Sequence, residues 1–206
     1  ISPLEILWRN LQTEAQRELT SSYIPTEYNN ISIDEDNFIY ITTDAIGDSA
    51  QTQAVLTRSS ENAPVKKLNA SGADVMKRNG FYPPSGEVRI TNVSTASIAG
   101  ASKIIDVAIG PEGTWSIIDE NRSKVFTYDS NGALLFAFGD KNGAQIGNIA
   151  TVEAIAYQGS NILLLDRTNA NIVVFRRTEY GDMLINALAN QNNRKYDRAI
   201  DDWTEI

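Results

Sequence analysis

The chain has 206 residues, a hydrophobic content of 42% and a formal net charge of −8. Its acidic balance argues against a nucleic-acid partner, because phosphate-binding surfaces are built from clustered Lys and Arg. Cys and His are both absent, which excludes disulfides, thiolate nucleophiles, His-based triads and nearly all zinc sites. We therefore expect no catalytic residue and no cofactor, although calcium or magnesium is possible because oxygen ligands alone can bind either ion.

Both ends of the chain are predicted to be cut from something longer. Ile1 takes the place of an initiating Met, and residues 201–206 stop inside a predicted helix. No stretch approaches the roughly 20 apolar residues of a membrane helix. Any contact with a membrane is therefore expected only through segments outside this chain.

Residues 1–24 are predicted to be helical. Ser2 can cap a first helix over 3–11, Pro3 suits its first turn, and Glu5 sits at the reciprocal capping position. A second helix is predicted over 14–21. Trp8 lies on the apolar face of the first helix and is predicted to be a core anchor.

From Asn30 the hydrophobic period changes to two, which predicts strands. The first unit has strands at 31–33 and 38–41 around an acidic turn, then a strand at 65–68, a turn at 69–72 and a strand at 73–76. The polar stretch 44–63 interrupts this unit. An extra hairpin near 88–93 is predicted within 81–103.

The same order of strands and turns returns twice. The second unit places strands at 105–109, 114–119, 125–128 and 133–139, and the third at 152–157, 162–166 and 172–175. Asp119 and Asp166 end equivalent strands 47 residues apart. Four strands per unit at this spacing are typical of a β-propeller blade, so residues 25–178 are predicted to form about three blades.

After Phe175 the period becomes helical. Leu184, Leu188, Tyr196 and Trp203 follow spacings of three and four, which predicts helices over about 179–190 and 194–206. The fold class is therefore mainly β, with short helices before the blades and a helical tail over 179–206.

The second and third units resemble NHL-type repeats, in which a strand ending in Asp is followed by a polar link and an apolar-x-x-Phe strand. The residues that carry this likeness are Asp119, Asn121, Arg122 and Phe126 in one unit and Asp166, Asn169 and Phe175 in the other. Asn171 stands where the repeat usually has Arg. The resemblance implies a structural role for these residues. The tail resembles the first helix pair of a tetratricopeptide repeat.

Nearly the whole chain is similar to bacterial surface proteins of the Firmicutes type, in which an NHL propeller precedes tetratricopeptide-like helices and membrane segments. Segments 25–28, 65–69, 78–84, 126–129 and 178–181 carry this likeness. It implies a six-bladed propeller, of which about the second half is present here. It also implies a membrane-tethered protein at the extracellular face of the cell membrane.

Four residues are candidates for a binding site. Asp106 and Glu153 stand early in their units, at places read as corresponding, and are predicted to face the central channel. Trp115 could stack on a sugar ring, although its strand pattern favours the core, and Arg122 could pair with a ligand or with Asp119. The acidic turn at 34–37 lacks the frame of a calcium loop and is interpreted as a solvated hairpin turn.

We predict a non-catalytic binding or scaffolding module that uses a propeller face to recognise a protein or a glycan. One alternative is a cation-dependent hydrolase like the propeller gluconolactonases, and another is a scaffold for a membrane transport complex. Three blades leave apolar faces and strand edges open. We therefore also predict a homodimer in which two half propellers complete a ring.

Overall fold

A computed structural model describes residues 28–44, 63–78, 102–140 and 147–206. The predicted helices over 3–11 and 14–21, and the hairpin near 88–93, lie outside these residues. The described part is mainly β, with three antiparallel sheets followed by two helices. Between residues 31 and 178, the described residues contain antiparallel strands and one short 3-10 turn, Pro111–Gly113. The strand predicted at 73–76 is not formed, and a single bridge pairs Asp74 with Leu68 there.

Sheet 1 contains three strands in chain order: β1 (Asn30–Ile33), β2 (Ile39–Thr42) and β3 (Val65–Leu68). Sheet 2 contains four: β4 (Ile104–Ile109), β5 (Trp115–Asp119), β6 (Lys124–Tyr128) and β7 (Leu134–Phe138). Sheet 3 contains β8 (Val152–Gln158), β9 (Asn161–Asp166) and β10 (Asn171–Phe175). Every neighbouring pair is antiparallel, so each sheet is a simple meander.

One type of turn occurs twice in sheet 1, after β1 and after β3, and once in sheet 2, after β6. The Oδ1 atoms of Asp34, Asn69 and Asp129 each accept hydrogen bonds from the backbone N–H groups two and four residues later. The residue three positions on has positive φ, as Gly132 does at 76°. A Cβ at Gly132 would lie 1.9 Å from the carbonyl oxygen of Lys77, so only Gly fits there.

The sheets pack face to face in chain order, and their first strands adjoin: β1 contacts β4, and β4 contacts β8. Sheets 1 and 2 enclose a buried cluster of Tyr40, Val65, Met76, Ile104, Val107, Trp115, Ile117, Phe126 and Tyr128. Sheets 2 and 3 enclose a second cluster of Ala108, Ile118, Val125, Ile149, Val152, Ile155, Ile162 and Leu164. Sheet 2 is therefore buried on both faces, which is why β5 is buried throughout rather than alternating.

The tail forms two helices, α1 (Glu179–Asn192) and α2 (Tyr196–Glu205), close to the predicted bounds. Thr178 caps α1, because its hydroxyl oxygen accepts a hydrogen bond from the N–H of Gly181 at 3.3 Å. The side chain of Asn190 donates to Asp202 at 2.7 Å and ties the two helices together. Of the helices in the described ranges, none is long and apolar enough to cross a membrane.

Candidate functional site

A cleft lies where hairpin turns of all three sheets meet. It has a volume of about 800 Å³. Its lining comprises the β1–β2 turn, the turn before β5, Gly159 of the β8–β9 turn, and Asn192 at the end of α1. A hydrogen bond of 3.1 Å from the side chain of Asn192 to the carbonyl of Glu112 brings the helices to this edge. The cleft therefore depends on the assembly of three sheets and not on any one hairpin.

The cleft is acidic. Four carboxylates line it, from Asp34, Glu35, Asp36 and Glu112, against the single ammonium group of Lys67. Asp34 is already engaged, since its Oδ2 lies 3.0 Å from Lys67 Nζ. Glu35 and Asp36 are exposed. The lining therefore offers uncompensated negative charge to a ligand.

Lys67 is held in place and remains protonated. Its Nζ lies 4.4 Å from the ring centroid of Phe38 and 4.8 Å from that of Tyr40, within the range of cation–π attraction. Burial lowers the pKa of Lys67, but hydrogen bonding to Tyr40 and Asp34 outweighs it, and the pKa rises above its ordinary value. Lys67 thus serves as a fixed cation that anchors Asp34, and it is not an activated amine.

A smaller cavity of about 420 Å³ lies along the first strands β1, β4 and β8, and Asp106 lines it. Each carboxylate oxygen of Asp106 accepts a backbone hydrogen bond of 2.7 Å, one from Val107 and one from Ile155 in sheet 3. Burial raises the pKa of Asp106, although these two hydrogen bonds oppose the rise. Asp106 therefore joins sheets 2 and 3 at the wall of this cavity.

The structure does not bring the four candidate residues together. Trp115 is buried, stacks on Tyr128 at 4.4 Å and donates its indole N–H to a backbone carbonyl at 2.9 Å. Arg122 is buried against Asp119, with 2.7 Å between Nη1 and Oδ2. Glu153 is exposed, and its carboxylate lies 3.4 Å from Arg167.

The register corrects the correspondence between Asp106 and Glu153. Ile104 pairs with Asp119 and Val152 with Asp166, and a bulge follows in both strands. Asp106 therefore corresponds to Ala154, and Glu153 corresponds to Ile105. The two acids are offset by one residue, so they do not occupy equivalent positions in their sheets.

The polar links after β5 and β9 correspond more closely than the sequence suggested. Asp119 Oδ1 accepts the backbone N–H groups of Lys103 and Asn121. In sheet 3, Asn169 occupies the place of Arg122, because its Nδ2 donates to Asp166 Oδ2 at 2.8 Å. Asn171 was therefore the wrong position to compare with Arg.

The two Phe residues of the repeat pattern are not equivalent either. Phe126 pairs with Ile117 and is fully buried between sheets 1 and 2. Phe175 pairs with Ile162, which makes it the counterpart of Tyr128, and its ring packs on Phe138 at 4.8 Å. Each ring still contributes to a core cluster.

Sequence reasoning missed Lys67, Glu112 and Tyr157 as cleft residues. The hydroxyl of Tyr157 shares a 2.6 Å hydrogen bond with Ser116 of sheet 2, and burial raises its pKa. The residues that meet in the cleft come from turns far apart in the sequence, so no local spacing signals them. In the part of the chain that the structure describes, no three acidic side chains converge to hold a metal ion.

No protein-family model and no curated protein matches the sequence. Three similar solved structures are the computationally designed Ika4 protein, virginiamycin B lyase from Staphylococcus aureus, and a gluconolactonase from Xanthomonas campestris. Their identities are 12%, 10% and 12%, and their TM-scores are 0.41, 0.39 and 0.42.

The matches cover 74%, 78% and 75% of this chain, and 67%, 44% and 46% of the respective structures. The chain thus spans less than half the length of the lyase and of the gluconolactonase. Both of these are β-propeller-like proteins. One is a lyase and the other a gluconolactonase, so likeness to this group does not select an activity.

Proposed function

We propose that this chain is a non-catalytic binding module of the β-propeller type, and that the acidic cleft receives a basic segment of a protein partner. The observation that carries the proposal is the cleft of about 800 Å³ where turns of three sheets meet, with exposed Glu35 and Asp36 on its rim. A cationic side chain is attracted to such a rim, because four carboxylates line the cleft and only one ammonium group offsets them.

A protein partner is favoured over a glycan by the aromatic side chains. Sugar rings bind on exposed aromatic faces, yet Trp115 and Tyr128 stack on each other in the core. Tyr157 reaches the cleft but engages its hydroxyl with Ser116. The cleft therefore offers charge and turn backbone rather than a stacking platform.

The finer architecture belongs to the same proposal. Meander sheets whose first strands adjoin, with equivalent Asp residues 47 positions apart, support three blades of an NHL-type propeller. The helical hairpin α1–α2 supports a tetratricopeptide-like continuation. The six-bladed whole and the tether at the extracellular face of the membrane rest on the resemblance of the sequence.

Fluorescence anisotropy tests the binding proposal with a labelled nonapeptide of alternating Lys and Ala. We expect binding at 0.15 M salt that weakens at least tenfold when Glu35 and Asp36 are both changed to Lys. The matched control changes Asp201 and Glu205, two exposed acids on α2, to Lys and thus makes the same change in net charge. Equal weakening by both double variants, or no binding at all, contradicts the proposal.

The hydrolase alternative has one observation in its favour, the buried carboxylate of Asp106 in the wall of the smaller cavity. Its test is the hydrolysis of a sugar lactone in the presence of calcium. Calcium-dependent turnover that is lost in an Asp106→Asn variant shown to be folded by circular dichroism would replace the binding module by an enzyme.

A further inference from the structure

The three sheets correspond position by position, which allows each face to be compared. We call the face turned toward the preceding sheet the leading face, and the face turned toward the following sheet the trailing face. Val107, Trp115 and Ile117 lie on the leading face of sheet 2, in the cluster shared with sheet 1. Ile118 and Val125 lie on its trailing face, in the cluster shared with sheet 3. Both internal junctions therefore join a trailing face to a leading face.

The trailing face of sheet 3 is apolar and exposed. The register sets Ala154, Leu165 and Ile172 in one row across the sheet, and Ala156, Leu163 and Val174 in the next row. Ile172 occupies the position that Val125 occupies in sheet 2. The exposed fraction is 63% for Ile172 and 1% for Val125. The difference arises because sheet 3 packs over Val125, whereas no described sheet packs over Ile172.

The leading face of sheet 1 is also apolar, and its first strand exposes Ile31 and Ile33, whereas Ile41 of the second strand is buried. Its rows contain Ile31, Ile41 and Lys66, and Ile33, Ile39 and Leu68. Ile31 corresponds to Val107 in sheet 2 and to Ile155 in sheet 3, both buried where the preceding sheet packs on them. Ile31 itself is 62% exposed.

We propose that a second copy of this chain covers both faces. The trailing face of sheet 3 in one copy packs on the leading face of sheet 1 in the other, and the reverse contact closes six sheets into a ring with two-fold symmetry. This occupant is favoured because a second copy carries both face types in the arrangement that the two internal junctions already use. Burial of apolar rows on both sides supplies the driving force.

The test is the mass of the full 206-residue chain in solution, measured by light scattering during size-exclusion chromatography at about 50 µM. We expect twice the chain mass of 22.7 kDa. Ile172→Lys and Ile31→Lys are each expected to raise the dissociation constant at least tenfold. Ile200→Lys is the matched control, since Ile200 is 62% exposed but lies on α2. Circular dichroism verifies that each variant is folded.

A mixing experiment tests the head-to-tail geometry. A pair of one Ile172→Lys chain and one Ile31→Lys chain places both changes in a single junction and leaves the other junction native. We therefore expect the mixture to dimerise more tightly than either variant alone. A monomeric native chain, a higher oligomer, or a dimer that tolerates both substitutions would overturn the proposal. So would a dimer sensitive at Ile172 and indifferent at Ile31, because it would join two like faces.

Discussion

Replacement of Asp119 by Asn tests the view that the Asp at the end of the second strand holds each sheet together. The Asp119 carboxylate is fully buried and accepts two backbone hydrogen bonds, of 3.1 Å and 3.0 Å, besides its 2.7 Å ion pair with Arg122. An Asn amide can satisfy either the backbone donors or the guanidinium, and not both. The buried guanidinium then loses the Asp119 carboxylate, which costs about 3–5 kcal/mol of unfolding free energy.

Asp166 provides the matched position in sheet 3. It is equally buried and accepts the N–H groups of Thr168 and Asn169, but its side-chain partner is the neutral amide of Asn169. In Asp166→Asn that amide can turn to present its oxygen, so we expect a loss of only about 1–2 kcal/mol. The difference between the two variants isolates the contribution of the buried charge.

Equilibrium unfolding in urea, monitored by far-UV circular dichroism, measures both losses as shifts of the midpoint at an unchanged slope. Changing Arg122 to Gln in the Asp119→Asn background removes the buried charge that Asp119 paired with, and we expect it to recover at least about 1 kcal/mol. Losses at Asp119 and Asp166 that agree within about 0.5 kcal/mol, or no recovery in the double variant, would refute this reasoning.

Three further outcomes are expected. Gly110→Ala should lower the free energy of unfolding in urea by about 1–3 kcal/mol, because its Cβ would lie 2.6 Å from the ring of Tyr157. Gly159→Ala meets no atom within contact distance, so it should lower that free energy by only about 1 kcal/mol, because of its positive φ. The folded pKa of Asp106 is raised, so its ionised carboxylate lowers the stability of the fold. This loss of stability is absent below the unfolded pKa near 3.8 and develops as pH rises through the folded pKa. Asp106→Asn should therefore flatten the fall in stability over that window. The pKa of Asp166 is lowered, because hydrogen bonds from Asn169 outweigh the opposing effect of burial. Its stabilising contribution is therefore present above the unfolded pKa and lost as pH falls through the folded pKa. Asp166→Asn should flatten the acid side of a plot of melting temperature against pH.

The local elements follow from the sequence because their causes lie within a few residues. Alternation of apolar side chains predicts β1 to β10 within a residue or two, and spacings of three and four predict α1 and α2. The turns are equally local, since the Oδ1 of Asp34, Asn69 or Asp129 binds backbone groups no more than four residues away.

Correspondence between repeats could not be read from the sequence with the same accuracy. The bulges in β4 and β8 fall at equivalent places, but the connection from Ile109 to Trp115 is one residue longer than the connection from Tyr157 to Ile162. The spacing of 47 residues between Asp119 and Asp166 therefore paired Glu153, instead of Ala154, with Asp106. In the polar link, Asn171 rather than Asn169 was compared with Arg122. The length of a connection is fixed by the hydrogen-bonded register of the strands on either side, which the residue pattern does not record.

The cleft and the open faces were decided only by tertiary structure. Asp34 and Lys67 are 33 positions apart in the sequence, and Ser116 meets Tyr157 across 41 positions. The sequence determines that Ile172 is an apolar residue in a strand, as Val125 is. Whether such a side chain is core or docking surface depends on which sheet packs next to it, and that is a property of long-range packing rather than of the residue itself.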